Sequence, residues 1–220
     1  ATSKGKLRCW SRRKGGRNPV MQTPSDEQEW LQVTVGDRHA CAIGEDSRVV
    51  CWGDDDQGQL AVPDATFAKI EAAMDHTCGM TTTNTALCWG GGDPAPAFLD
   101  YVHGTNPRNL TVGEDFICSS TIAGYDSTVD CYVEEGDGFW GVPAIASLVD
   151  MDAGNSHFCA LTSDGDLSCY GANDHDQLEV PSSTADWIAV SSGYEGSCAV
   201  NDDGQVRCWG LMPSPQRAGY

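Results

Sequence analysis

The sequence predicts an all-β fold, a β-propeller of about six four-stranded blades with one hairpin disulfide in each blade. A unit of 37 to 43 residues recurs along the chain, and cysteines recur inside it at a fixed spacing. In addition, 25 glycines and 10 prolines supply the many turns that short strands require. A repeat of about 40 residues built from several short strands is typical of a propeller blade. Seven blades are the alternative if the chain belongs to a longer protein.

The second half of each unit ends in a cysteine followed by an aromatic residue. These pairs are Cys9-Trp10, Cys51-Trp52, Cys88-Trp89, Cys131-Tyr132, Cys169-Tyr170 and Cys208-Trp209. The first half is a hydrophobic strand followed by Gly-x-x-His-x-Cys, clearest at Gly36–Cys41 and Gly154–Cys159. We therefore expect one domain, residues 1–220, with a partial unit at about 6–29 and full units at 30–66, 67–107, 108–145, 146–184 and 185–212.

Each unit is predicted to form four strands. Val33 and Val35 alternate with polar residues before the glycine, a pattern that indicates a half-buried strand. The His-x-Cys and x-Cys-Trp segments supply the second and third strands. The segments 59–63 and 177–181, both Gln-Leu-x-Val-Pro, are predicted to form a fourth strand at the sheet edge, where proline's missing donor does least harm. The aromatic residue after each second cysteine is expected in the core between blades.

The cysteine spacing tests this interpretation independently. Nine residues separate the cysteines of the pairs Cys41/Cys51, Cys78/Cys88, Cys159/Cys169 and Cys198/Cys208, whereas 12 separate Cys118 from Cys131. If each pair faces across an antiparallel hairpin, nine residues leave a three-residue loop and place the two sulfurs within disulfide reach. The third loop residue must be left-handed, which suits Gly165, Gly204 and Asn84 but not Ser47. The fourth pair is expected to need a longer loop.

Eleven cysteines, ten of them in local pairs, indicate an oxidising compartment and an extracellular or cell-surface protein. Zinc is the alternative, but neither Cys-x-x-Cys nor His-x-x-x-His occurs. Cys9 is the odd thiol, because the first half of its unit is absent. The chain is expected to be a piece of a longer protein. Otherwise Cys9 pairs with another polypeptide or stays free.

These residues resemble a known family. The run from Gly36 through Cys41 and Cys51-Trp52-Gly53 to Leu60 is similar to the regulator-of-chromosome-condensation repeat in its extracellular, cysteine-paired form. Similar repeats occur in the ectodomains of crinkly-type plant receptor kinases, and cysteine-free relatives include secreted propellers that inhibit β-lactamases. The resemblance covers about residues 6 to 210 and implies the propeller fold. It does not imply one function, because members of the family include an exchange factor, receptors, inhibitors and photoreceptors.

Charge is unevenly distributed and argues against nucleic-acid binding. After residue 17 the chain carries 32 acidic residues against six basic ones, so its surface repels phosphate. Seven basic residues lie in the first 17 positions, where they could meet an acidic partner, a glycan or the acidic body of the protein: Lys4, Lys6, Arg8, Arg12, Arg13, Lys14 and Arg17. No apolar run approaches the roughly 20 residues that a membrane span requires.

No catalytic site is predicted, and the chain is expected not to be an enzyme. His39, His76 and His157 share one repeat position, which favours a structural role in every blade. The esterase elbow, the zinc-protease motif and the nucleotide-binding loops are absent from the sequence. We expect no cofactor. Calcium at the acidic turns is the alternative, although none matches the twelve-residue calcium loop. Asn109-Leu110-Thr111 is a candidate glycosylation sequon.

The leading functional hypothesis is protein recognition or self-assembly through the loops that join the blades. Loops vary here while strands repeat, and binding residues usually lie on such loops. The candidates are Asp54, Asp55, Asp56, Asp174, His175 and, in the insertion 91–103, Phe98 and Tyr101. A lectin is the first alternative, although it would require the same polar and aromatic set in every loop. A secreted enzyme inhibitor is the second.

Overall fold

The structure is a computed structural model, and it describes residues 6–7, 23–24, 29–91, 107–114, 116–123, 126–133, 139–140 and 142–211. The described residues are β-strands, turns and loops, without a helix. The chain falls into two compact units, Ala1–Val112 and Gly113–Tyr220. The all-β class predicted from the sequence is therefore confirmed in both units.

The first unit contains two three-stranded antiparallel sheets, in the orders β1-β2-β3 and β4-β5-β6, and a further strand, β7. The strands are β1 (Trp30–Val35), β2 (His39–Gly44), β3 (Val49–Gly53), β4 (Phe67–Ala73), β5 (His76–Thr81), β6 (Ala86–Gly90) and β7 (Asn109–Val112). Each sheet is one sequence repeat, because its second and third strands carry the two cysteines of that repeat.

The second unit contains two more three-stranded sheets, β12-β13-β14 and β15-β16-β17, and a hairpin β8-β9 whose second strand also pairs with β10 and β11. The strands are β8 (Phe116–Ala123), β9 (Asp126–Val133), β10 (Phe139–Trp140), β11 (Ile145–Ala146), β12 (Leu148–Ala153), β13 (His157–Thr162), β14 (Leu167–Gly171), β15 (Trp187–Ser192), β16 (Gly196–Asn201) and β17 (Val206–Gly210).

Five disulfides join facing residues of the second and third strands, and they are the five pairs expected from the spacing. They link Cys41–Cys51, Cys78–Cys88, Cys118–Cys131, Cys159–Cys169 and Cys198–Cys208. The nine-residue spacing gives the predicted three-residue loop, whose third residue is left-handed in all four hairpins, with φ of 61°, 61°, 79° and 76° at Ser47, Asn84, Gly165 and Gly204. Ser47, the exception in residue type, thus adopts the same conformation as the others.

The prediction of a longer loop between Cys118 and Cys131 is wrong. The pairing of β8 with β9 continues to Ala123 and Asp126, so the extra residues lengthen the two strands and leave only two residues between them. A hydrogen bond of 2.8 Å between the Thr121 and Thr128 hydroxyls crosses the added part of the hairpin. Threonine is β-branched and favours strands, which explains why the additional residues pair.

The predicted fourth strand is also absent from the two repeats that carry Gln-Leu-x-Val-Pro. Residues 59–63 and 177–181 form turns and loops, not strands. The Leu60 amide donates to Asp55 Oδ1 at 2.9 Å and the Val62 amide to the Leu60 carbonyl at 2.9 Å. These amides are satisfied locally and Pro63 has none, so the segment has no donors left for pairing with a strand.

The core lies between successive sheets. In the first unit, Cys41 and Ile43 of one sheet pack against Phe67, Ile70 and Trp89 of the next. The second unit repeats the arrangement with Cys159, Leu161, Trp187, Val190, Ala199 and Trp209. Three of the aromatic residues after the second cysteines, Trp52, Trp89 and Trp209, lie in the core as predicted, Tyr132 and Tyr170 are partly buried, and Trp10 lies outside the described residues. Leu7 of the partial repeat is buried against Trp30 and Trp52.

Candidate binding surface

The repeat histidines join one repeat to the next. His39 Nε2 lies 2.7 Å from the Thr77 hydroxyl, and His157 Nε2 lies 2.8 Å from the Ser197 hydroxyl, so each histidine contacts the residue before the first cysteine of the following repeat. Both imidazoles are fully buried. Burial lowers the pKa of His39 and of His157, because it disfavours the charged ring.

The histidine position holds an apolar residue in one repeat, where the facing residue of the next repeat is also apolar. In the repeat that follows β7, Phe116 replaces the histidine, and Phe158 replaces the hydroxyl residue of the next repeat. The two rings are tilted by 44°, with centroids 6.4 Å apart. Equivalent joints thus hold two polar pairs and one apolar pair, which favours a structural role for His39 and His157.

Acid is expected to destabilise the fold through these histidines. Around His39, burial and the neighbouring His76 lower the pKa, whereas Asp75 and the Met74 carbonyl oppose the shift. In the unfolded chain both rings titrate near 6.5. Their stabilising contribution is therefore complete above this pH and is lost as the pH falls below it, by up to about 1.4 kcal/mol per pH unit for each ring.

Urea unfolding at about pH 7.5 and about pH 5.5 measures this effect, with an expected loss of about 1–3 kcal/mol in the free energy of unfolding. The His39→Gln/His157→Gln variant is the control and is expected to lose less than half as much between these two pH values. An equal loss in the variant would assign the acid sensitivity to other groups.

The turn after the third strand has the same backbone in two repeats. In the first, Asp55 Oδ1 accepts the Leu60 amide at 2.9 Å; in the second, Asn173 Oδ1 accepts the Leu178 amide at 2.9 Å. A left-handed residue follows in both, Gly58 with φ 76° and Asp176 with φ 61°. Asp55, a binding candidate from the sequence, therefore also fixes the shape of its own turn.

A buried glutamine anchors each of these turns to the next repeat. Gln59 and Gln177 accept the amides of Gln57 and His175 at 2.9 and 2.8 Å through their side-chain oxygens. Their carbonyls accept the indole N–H of the following repeat, Trp89 at 3.1 Å and Trp209 at 2.8 Å. The sequence analysis predicted a strand here. The glutamine that precedes the leucine in both segments was the signal that could have indicated an anchored turn. The turns are consequently firm platforms for the side chains that they expose.

The exposed side chains of the two platforms differ. The first presents Asp55, Asp56 and Gln57, and its Asp54 forms a salt bridge with Arg38. The second presents Asn173, Asp174 and His175 at the corresponding positions, and it also presents Asp176 where the first has Gly58. His175 Nε2 lies 3.5 Å from Glu195 Oε1 in the following repeat. One scaffold thus carries two different sets of polar groups.

An apolar patch beside the second platform was missed by sequence reasoning. Tyr194 is 63% exposed and Leu211 is 53% exposed. Both adjoin Glu195 along the backbone, because the Leu211 amide donates to the Glu195 carbonyl at 2.8 Å and Tyr194 is the preceding residue. We call Tyr194, Leu211, His175 and Glu195 the Tyr194 patch. Exposed aromatic and aliphatic groups beside charged groups are typical of protein interfaces.

Three other residues singled out from the sequence lie outside the described residues: Cys9, Phe98 and Tyr101. Gly91, which begins the insertion, lies next to Gln57, because a Cβ built on Gly91 would stand 2.6 Å from Gln57 Cβ. The insertion therefore starts beside the first platform.

The sequon lies on a strand. Asn109 is partly buried in β7, and the fully buried Thr111 donates a hydrogen bond of 2.6 Å to Glu71 Oε2. The threonine hydroxyl of the sequon is thus already used within the fold. Glycosylation at Asn109 stays a prediction.

Within the described ranges, no three His, Cys, Asp or Glu side chains come together as a metal site would require. The same part of the chain contains no helix long and apolar enough to cross a membrane.

Comparison with known proteins gives a match to one family model over three segments of the chain. The model of the "Regulator of chromosome condensation (RCC1) repeat" matches residues 30–59, 148–177 and 187–214. These three segments of the chain are similar to the RCC1 repeat. They correspond to β1–β3, β12–β14 and β15–β17, and the first two extend into the turns that form the platforms, as far as Gln59 and Gln177. Comparison with curated protein sequences gives no match.

Solved structures of RCC1-type propellers and crinkly ectodomains are similar to this chain. The CRINKLY WD40 ectodomain of the Arabidopsis thaliana receptor kinase ACR4 has a TM-score of 0.67 and 20% identity, over 90% of this chain and 74% of that one. The entire ectodomain of the Physcomitrella patens receptor kinase CR4 has a TM-score of 0.65 and 17% identity, over 84% of this chain and 56% of that one.

Prp20p from Saccharomyces cerevisiae also has a TM-score of 0.65 and 17% identity, over 86% of this chain and 59% of that protein. The chain thus spans little more than half the length of CR4 and Prp20p. At these identities the likeness is one of fold, which is that of RCC1-type propellers.

Proposed function

We propose that this chain is a non-catalytic, extracellular protein-binding module that recognises its partner through the Tyr194 patch and the adjoining platform. The observation that carries the proposal is the exposure of Tyr194 and Leu211 beside the His175–Glu195 pair, in which His175 lies on the turn anchored by Gln177. A few aromatic and aliphatic anchors usually supply most of the binding energy of a protein interface. The Tyr194 carbonyl accepts the Asn155 amide at 3.1 Å and the Leu211 amide donates to the Glu195 carbonyl at 2.8 Å, so the backbone that carries these anchors is fixed and loses little conformational entropy on binding.

The difference between the two platforms favours a protein partner over a glycan. A propeller lectin with one site in each blade would need the same side chains at equivalent positions. Here Gln57 corresponds to His175 and Asp54 to Ala172, while the backbone bonds of the turns are the same. Different side chains on one scaffold suit an asymmetric protein surface.

Two further observations support the extracellular and protein-binding parts of the proposal. Disulfides persist in oxidising compartments, and this chain has five. Two similar structures are receptor ectodomains, and Prp20p is described by its binding to Gsp1p and histones. The net charge of −19 favours a partner with a basic surface. A secreted enzyme inhibitor is a special case in which the partner is an enzyme.

A Tyr194→Ala variant tests the surface. The full chain is displayed against a library of secreted proteins, and binding is then measured by interferometry for wild type and variant. We expect affinity for the selected partner to fall about 30-fold, the effect of losing a hot-spot aromatic, with unchanged thermal unfolding. Val206→Ser is the matched control, because Val206 is equally exposed but lies on β17.

Equal affinity of wild type and Tyr194→Ala would place the interface elsewhere. Specific binding on a glycan array, without a protein ligand, would replace the proposal with the lectin alternative. Native material in which the ten paired cysteines are reduced would contradict an extracellular location.

A further inference from the structure

Among the residues that the structure describes, no strand pairs with the outer edge of β3. β3 is the last strand in the order β1-β2-β3. The Gly44 amide donates to the Arg48 carbonyl, so by the two-residue alternation of antiparallel sheets Val50 also bonds to β2, whereas the N–H and C=O groups of Val49 and Cys51 point outward. Within the described part of the chain, these outward groups have no backbone partner.

A groove runs beside this edge. Its volume is about 320 Å³, and it lies between the start of β3 and the segment 62–65. Val49, Val50, Val62, Pro63 and Ala65 supply apolar walls. The segment 62–65 does not close the edge, because the Val62 and Ala65 amides donate to the carbonyls of Leu60 and Pro63 in their own turn. The groove therefore has apolar walls and lies beside a strand edge with outward-pointing backbone donors and acceptors.

The rim of the groove is acidic. Asp46 and Asp64 stand at the end of the groove with a single cation, Arg48, which lies 3.6 Å from Asp64. The Asp64 side chain is 97% exposed, so a ligand can reach it without displacing a neighbour. The hairpin tip adds Glu45 next to Asp46. A ligand that adds to this edge meets a net negative charge.

We propose that this groove binds an extended segment of a protein partner as an added strand on β3, with an apolar side chain in the groove and a lysine or arginine at Asp64 and Asp46. Strand addition uses main-chain hydrogen bonds for affinity and side-chain pockets for specificity. The edge of β3 supplies the hydrogen-bonding groups, and the groove supplies the pocket. The groove is a second surface, formed by residues other than the Tyr194 patch, so its test is independent of the proposed function.

The probe is an acetylated, amidated peptide of sequence Lys-Val-Thr-Val-Thr-Val-Lys, added to the full chain. Binding is expected to slow amide hydrogen exchange at Val49 and Cys51, as measured by NMR, and to leave Val50 unchanged because its amide is already bonded to β2. The same peptide with N-methylated valines cannot donate these bonds and is expected not to bind. A peptide with glutamates in place of the lysines is expected to bind more weakly.

Asp64→Lys is expected to weaken binding of the lysine peptide about five- to tenfold, from loss and reversal of an exposed charge contact. Asp203→Lys makes the same charge change at the exposed β16–β17 turn and is expected to leave binding within about twofold of wild type. Neither side chain is buried, so both variants should fold.

Three results would overturn the proposal. The first is absence of peptide binding at about 1 mM, the limit of a weak site. The second is protection on another edge, such as β14, in place of β3. The third is concentration-dependent protection of Val49 and Cys51 in the chain alone, which would identify a second copy as the occupant.

Discussion

Reduction of the five disulfides is expected to unfold the chain under conditions in which the oxidised chain is fully folded. Each disulfide closes a short hairpin, with a sequence separation of 10 or 13 residues. Closing a loop of this size stabilises the folded state by about 2–3 kcal/mol, mainly by restricting the unfolded chain. Five such contributions are comparable to the whole free energy of unfolding of an ordinary domain, about 5–15 kcal/mol.

The measurement is far-ultraviolet circular dichroism and tryptophan fluorescence before and after treatment with a phosphine reductant at neutral pH. Trp52, Trp89 and Trp209 are buried in the core, so unfolding is expected to shift their emission to longer wavelength. Reoxidation is the control and should restore the signal. A reduced chain that keeps its spectrum and melts within a few degrees of the oxidised chain would show that the sheets do not depend on their disulfides.

Most of the sheet register followed from cysteine spacing and turn chemistry. Two facing cysteines nine residues apart leave one symmetric loop, and a glycine or asparagine at its third position fits the left-handed backbone that such a loop requires. Ser47 shows how firmly the register is set, because it adopts a φ of 61° without the residue type that favours it. There the disulfide and the strand pairing determine the turn, and they override the conformational preference of serine.

The sequence predictions of a fourth strand and of a long loop were wrong where side-chain hydrogen bonds determine the backbone structure. Gln59 and Gln177 use their side-chain oxygens and main-chain carbonyls to anchor a turn, and a hydrophobic alternation cannot reveal this use. Between Cys118 and Cys131 the spacing was consistent with a long loop or with long strands. The choice depended on cross-strand contacts such as that between Thr121 and Thr128, which appear only once the strands are paired.

The candidate surface was predicted only in part, for a reason tied to repetition. Asp174 and His175 were found because they lie in a loop that varies between similar units. Tyr194 lies in a unit whose Gly-x-x-His-x-Cys motif is degenerate, at a position that holds Asp37 and Asn155 in other repeats, so comparing the units draws attention away from it. Its exposure depends on the turn between β15 and β16 and is visible only in the folded chain.

Gly154→Ala is expected to destabilise the fold by about 3 kcal/mol or more, whereas Gly193→Ala, the same change at the same repeat position, is expected to cost less than about 0.5 kcal/mol. A Cβ on Gly154 would overlap the Gly193 carbonyl oxygen and stand 2.5 Å from His157 Cε1. At Gly193 the nearest atom to an added Cβ is the Gly196 carbonyl oxygen at 3.6 Å, an ordinary contact.

The two variants separate steric exclusion from backbone entropy, because both remove the same conformational freedom from the unfolded chain. His157 cannot move aside, since its Nε2 is held 2.8 Å from the Ser197 hydroxyl and its ring is fully buried. Urea unfolding of both variants and wild type at neutral pH gives the comparison. Equal losses of stability would mean that the glycine of the Gly-x-x-His-x-Cys motif is needed for turn flexibility. The predicted inequality means that it is needed because the Gly193 carbonyl oxygen and the His157 imidazole occupy the space of a side chain.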